Sequence, residues 1–290
     1  AGDFVTQRLR SDPALLGIFL QGALLEGDLF LGGITDIDLF LVHSDAAPQP
    51  REIVRISDEI HLDLAHHARS QYRQPRELRS QTWLGYCIEG GRILYDPQHF
   101  LDFTQASVRG HFHRADHVLI RARKRLDQAR RKWLELQGNL SRPSEVQAAT
   151  QYLQMVEDAA NAVAGLSGPP LTERRFMQQF PARAAAVQRP GFEAALSGLL
   201  GAAEVEVDQI RSWIPSWQED YHAIPVQSAP ARLHPDRYQY HLRGIEALLG
   251  GEKPKDALWP LLHTWVIAAG CQPAISLPGT AWHQALRALG

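Results

Sequence analysis

Two cysteines in 290 residues, Cys87 and Cys271, leave little room for sulfur chemistry. They stand far apart, with no Cys-x-x-Cys and no Cys/His spacing, which excludes a disulfide framework and a structural zinc site and suits a reducing cytoplasm. An excess of one charge is also missing. The 30 Lys and Arg nearly balance 32 Asp and Glu, so the chain as a whole has no electrostatic reason to seek nucleic acid or a membrane surface. Long apolar runs are absent too. The most apolar late stretch, 257–271, is broken by Pro260 and His263 and is too short to span a bilayer. The first residues, Ala1-Gly2-Asp3, lack the basic and apolar regions of a signal peptide, so the expected location is cytoplasmic. No GxxxxGK[ST], GxSxG or GxGxxG occurs, which removes support for P-loop, hydrolase-elbow and dinucleotide readings. There is no internal repeat and no low-complexity tract.

What is present falls into two halves. The first hundred residues mix strand and helix signals. Residues 2–11 read as a short helix before Pro13, and 16–20 and 37–42 are compact apolar runs. Residues 51–59 read as helical or mixed, 59–65 alternate with period two, and 92–95 form a short strand stopped by Asp96-Pro97. From about residue 105 the pattern turns helical, over 106–137, 144–166, 172–187, 191–214, 236–249, 255–269 and 280–289. Gly165 and the Gly168-Pro169-Pro170 cluster end the second of these, and Pro225, Pro230 and Pro235 mark the longest irregular stretch. The expected fold class is α+β. A mixed sheet with flanking helices occupies 1–105, and an all-helical domain occupies 106–290.

The chemistry rests on acidic residues. In Thr35-Asp36-Ile37-Asp38-Leu39-Phe40-Leu41-Val42 the run after Asp38 is continuously apolar, as in a strand entering a core. Alternation along a strand puts Asp36 and Asp38 on one face, roughly 6–7 Å apart. Two carboxylates so close repel one another unless a cation lies between them. Mg²⁺ is the natural partner, being hard and oxygen-seeking, and it is usually held by one or two carboxylates plus substrate phosphates. In Glu59-Ile-His-Leu-Asp-Leu-Ala65, alternation turns Ile60, Leu62 and Leu64 one way and His61 and Asp63 the other. Asp63 reaches the same site if the two strands are neighbours. It would then share the metal or take a proton from an attacking hydroxyl. Upstream, Gln21-Gly22-Ala23 follows a strand and precedes a short helical stretch, a place where the backbone can approach a phosphate closely.

Taken together, these residues resemble the polymerase-β-like nucleotidyltransferase superfamily. Its pattern is an apolar strand, Gly-Ser, about a dozen residues, Asp-x-Asp in an apolar strand, and a third acid on a later strand. Here the matching residues are Gly22-Ala23, Asp36-Ile37-Asp38 and Asp63. The segment from Gly22 to Val42 looks most like the aminoglycoside adenylyltransferases and the minimal nucleotidyltransferases of toxin–antitoxin pairs, and the motif-bearing likeness covers about residues 15–65. The resemblance implies Mg²⁺ held by Asp36 and Asp38, with Asp63 as third ligand, general base, or both. It further implies backbone contacts from Gly22 and Ala23 to a nucleoside triphosphate, ATP first. The helical domain would bind the acceptor, a small-molecule hydroxyl such as an aminoglycoside-like polyol. A partner protein's hydroxyl is the alternative acceptor, and a binding protein that has lost catalysis is a third reading. One departure bears on that last reading: Ala23 stands where the family usually has serine, which removes one phosphate hydrogen bond of about 1 kcal/mol.

Other features have plainer readings. Nine Lys and Arg crowd residues 109–137, but they circle the predicted helix instead of forming a stripe, which favours a solvated face over a phosphate-binding one. His113 and His117 have helical metal spacing without an HExxH, so they predict no zinc site. His66-His67 would line the mouth of the cleft, and the seven tryptophans read mostly as core anchors.

Overall fold

A computed structural model describes residues 5, 6, 8, 9, 12–27, 30–138, 144–271 and 281–289. The chain divides into two compact units, Ala1–Ile120 and Arg121–Gly290. The first is α+β and the second is helical, which is the expected fold class. The expected helix over 2–11 lies largely outside the described residues, although 5–6 and 8–9 are helical.

In the first unit, strands β1 (Leu15–Gln21), β2 (Thr35–His43), β3 (Arg51–Arg55), β4 (Ile60–Ala68) and β5 (Arg92–Tyr95) form one sheet in the order β3-β4-β2-β1-β5. β2 and β4 run parallel, and the other neighbours are antiparallel. Both faces are covered. Ile18, Leu20, Leu39, Leu41, Leu62 and Leu64 fill one side. Phe19, Phe40 and Val42 meet Tyr72, Tyr86, Leu101, Val108 and Phe112 on the other. This explains why β2 reads as a continuous apolar run beyond Asp38: it is a central strand with no solvated face.

Two sequence-based expectations are corrected in this unit. Residues 51–55 form a strand, because Arg-Glu-Ile-Val-Arg pairs antiparallel with β4 across the turn at 56–59. The helix expected over 106–137 is two helices, Phe100–Arg109 and Ala115–Gln137. The break follows Gly110 and carries Phe112, which is fully buried and meets the Tyr86 ring edge-on at 4.9 Å. Burying that ring outweighs the cost of leaving the helix. Because Leu101 and Val108 join the same apolar cluster, Phe100–Arg109 belongs with the sheet.

In the second unit, the stretch 191–214 likewise divides, into Phe192–Leu199 and Val207–His222. Gly201 lies between them with φ +64°, a left-handed backbone that ends a helix at little cost, and Val205 is fully buried. Further helices run over Glu145–Ala164, Phe176–Ala186, Tyr238–Leu249, Leu258–Gly270 and Ala281–Ala288. Ser144 and Gln147 form a capping box at the start of the first of these. Among the described residues, no helix is long and apolar enough to cross a membrane.

Candidate active site

The register of β2 and β4 assembles the acids. Asp38 lies opposite Asp63, and Asp36 lies opposite His61. Parallel partners share a face, so all three aspartates converge. One carboxylate oxygen from each lies within 4.8 Å of the others, and among the described residues no other group of His, Cys, Asp and Glu does this. Asp36 and Asp63 are buried and Asp38 is partly so. Further along the same face, Phe40, Val42 and Ala65 join the apolar cluster, so the carboxylates end an otherwise oily surface. Carboxylates held this close repel one another, and a nearby cation relieves that repulsion.

Gly22 makes room for Asp38. Its backbone sits at φ +86°, ψ −162°, and a Cβ there would lie 2.0 Å from Asp38 Oδ2. The turn is braced from behind. Gly22 N–H donates to Gln21 Oε1 at 3.0 Å, while Gln21 Nε2 donates to the carbonyls of Tyr86 at 3.1 Å and Cys87 at 3.3 Å. Ala23 begins a four-residue helix, Ala23–Glu26, closed by Gly27 in the left-handed region.

One residue at the candidate site has no counterpart in the sequence motif. Arg51 of β3 grips Asp63 with a two-pronged contact, Nε to Oδ1 at 2.5 Å and Nη2 to Oδ2 at 2.7 Å. The Asp63 side chain is almost wholly buried whereas that of Arg51 is 44% exposed. The only signal in the sequence was the β-branched pair Ile53-Val54 between polar residues. Arg51 lies opposite Ala65 once β3 is recognised as the antiparallel partner of β4.

The surroundings are electrostatically quiet. Burial, then the charge of Arg51, pushes His67 down to about 4, so the ring is neutral at pH 7, and its Nδ1 shares a hydrogen bond with the Tyr72 hydroxyl at 2.7 Å. Burial and the nearby Asp38 push the Cys87 thiol up, which leaves it an unreactive thiol.

Several other candidates lie elsewhere. His66 points to the opposite face of the sheet and pairs with His43 at 2.9 Å, so His66 and His67 form no mouth-lining pair. His113 contacts Glu89 and His117 contacts Ser80, and neither joins a metal-capable group among the described residues. The basic helix is partly committed to structure. Arg121 is buried, and Arg125 and Lys132 both bind Asp158, at 2.7 and 2.6 Å. Trp217, Trp259, Trp265 and Trp282 are buried core anchors, while Trp83 and Trp133 are exposed.

No protein-family model matches the sequence, and no curated protein is significantly similar to it. Among solved structures, the chain is similar to a nucleotidyltransferase-like protein from Exiguobacterium sibiricum 255-15, with 11% identity over 90% of this chain and 78% of that one, at a TM-score of 0.35. A likeness that loose carries neither fold nor activity across.

Proposed function

We propose that this chain is a metal-dependent nucleotidyltransferase, moving a nucleoside monophosphate from a triphosphate, ATP first, to the hydroxyl of a small polyol-like acceptor. The observation that supports this most is the convergence of Asp36, Asp38 and Asp63 within 4.8 Å, next to a glycine whose missing side chain leaves Asp38 its place. The donor set suits Mg²⁺: it is all oxygen, and it keeps a net negative charge after Arg51 is counted. Asp36 and Asp38 would hold the ion, with Asp63 beside them. Bound there, Mg²⁺ would supply charge neutralisation along the triphosphate.

The chain's own residues have the remaining work. Gly22 and Ala23 hold the phosphate tail through their backbone. The acceptor oxygen forms its bond to the α-phosphorus as the bond to the bridging oxygen breaks and pyrophosphate leaves. The acceptor's proton passes to a carboxylate, for which Asp63 is the candidate. Orientation and charge stabilisation account for most of the rate, as in phosphoryl transfer generally. The helical domain expected over 106–290 is the candidate for acceptor recognition.

The test is pyrophosphate release with each of the four nucleoside triphosphates and Mg²⁺ against a panel of cationic and neutral polyols. Asp36→Asn and Asp38→Asn should each abolish it without unfolding the protein, and turnover near wild type in either removes the assignment. A second reading, a nucleotide-binding protein without catalysis, is favoured by Ala23 and by the engagement of Gly22 N–H with Gln21. Nucleotide-dependent thermal stabilisation without pyrophosphate release from any acceptor would select it.

A further inference from the structure

Asp63 has two oxygens, and Arg51 takes a lone pair from each: Nε–H donates to Oδ1 and Nη2–H to Oδ2. Such a fork fixes the plane of a carboxylate as well as its position, which a single point charge cannot do. The carboxylate so fixed is one of the three that share the space with Asp36 and Asp38. Charge points the same way. Counted at formal charge, the three carboxylates within 4.8 Å contribute minus three, and the guanidinium reduces the total to minus two. Arg51 comes from an edge strand and is 44% exposed, whereas the carboxylate it holds is 1% exposed. The arginine therefore keeps much of its hydration while the acid depends on it.

We infer that Arg51 is the positioning residue of the acidic site, orienting Asp63 and standing as a built-in countercharge that weakens metal binding in return for a fixed geometry. The inference rests on the function proposed above only for the part that concerns turnover. It predicts opposite signs for two properties of one variant. Arg51→Ala removes a positive charge next to the metal position, so Mn²⁺ without nucleotide should bind about tenfold more tightly. The same change frees Asp63, so kcat should fall by about 10²-fold with KM for the triphosphate moving far less. Arg51→Lys keeps the charge and loses the fork. Its Mn²⁺ affinity should stay within about threefold of wild type while kcat still falls by about tenfold.

The experiment is Mn²⁺ titration followed by calorimetry and electron paramagnetic resonance on wild type, Arg51→Ala, Arg51→Gln and Arg51→Lys. Asp36→Asn marks the site, and thermal melting reports the fold. Arg51→Gln and Arg51→Lys stand in if the alanine variant does not fold. Tighter Mn²⁺ binding after loss of the charge supports the inference, and unchanged or weaker binding in a folded variant overturns it. Wild-type kcat in Arg51→Lys overturns the positioning role. Mn²⁺ behaviour as expected in a wild type that releases no pyrophosphate removes the proposed transferase function and leaves the countercharge role standing. No Mn²⁺ binding by wild type overturns both.

Discussion

At the scale of single residues, Gly22 is where sequence and geometry are most tightly joined. It adopts φ +86°, ψ −162°, a region open in practice only to glycine, and a Cβ would fall 2.0 Å from Asp38 Oδ2. Gly22→Ala should therefore cost about 1–3 kcal/mol and push the Asp38 carboxylate aside. Thermal melting and Mn²⁺ titration check this together, and a variant with wild-type stability and affinity would show that the turn relaxes freely. Ala23 offers the converse change. Under the proposed function, Ala23→Ser adds a hydroxyl beside the phosphates and should tighten nucleotide binding by up to roughly tenfold, read by calorimetry. No gain would move the phosphates away from this turn.

At the scale of elements, β2 and β4 were legible because each carries its own pattern. An apolar run follows Asp38, and Ile60, Leu62 and Leu64 alternate with His61 and Asp63. Their parallel register was not legible, since pairing is set by packing on both faces, and a slip of one residue would turn Asp63 away from Asp38. Arg51 was missed for a related reason. A five-residue edge strand has too few positions to show a period, and nothing local ties an arginine to an aspartate twelve residues on. The turn at 110–114 escaped because Gly110 alone is a weak break, and the burial of Phe112 is a tertiary effect. The basic helix shows the same limit. Its charges circle the axis, yet Asp158 of Glu145–Ala164, with its side chain 5% exposed, collects Arg125 and Lys132 from it. Asp158→Ala leaves two cations without their carboxylate and should destabilise the helical unit by about 2 kcal/mol. Urea denaturation checks it, and a loss below about 0.5 kcal/mol would mean the two cations find water as readily as they find Asp158.

At the scale of the whole molecule, both units hold histidines in the neutral form. His67 in the sheet unit and His241 in the helical unit are each pushed down to about 4, foremost by burial. Hydrogen bonds suit the neutral rings: His67 Nδ1 pairs with the Tyr72 hydroxyl, and His241 Nε2–H donates to the Arg232 carbonyl at 2.9 Å. Burial lowers His43 and His66 as well. An unfolded histidine takes its proton near pH 6.5, so from there down to about pH 4 the unfolded chain binds more protons than the folded one. Stability is therefore full above pH 6.5 and declines as the pH falls, with a slope of up to about 1.4 kcal/mol per pH unit for each such histidine. Glu173 adds to the decline at lower pH. Burial raises its carboxyl, but Arg232 and the hydrogen bond from His263 override this and hold it well below the usual carboxylate range, so its contribution is lost only on strong acidification. Urea midpoints measured from pH 7.5 to pH 4 should fall throughout the lower part of that range. His67→Gln, which can still hydrogen-bond Tyr72, should make the fall shallower for the sheet unit and leave the helical unit unchanged. A midpoint that stays level from pH 6.5 to pH 4 would show that these rings are protonated in the folded protein, with the Tyr72 and Arg232 contacts rearranged to suit.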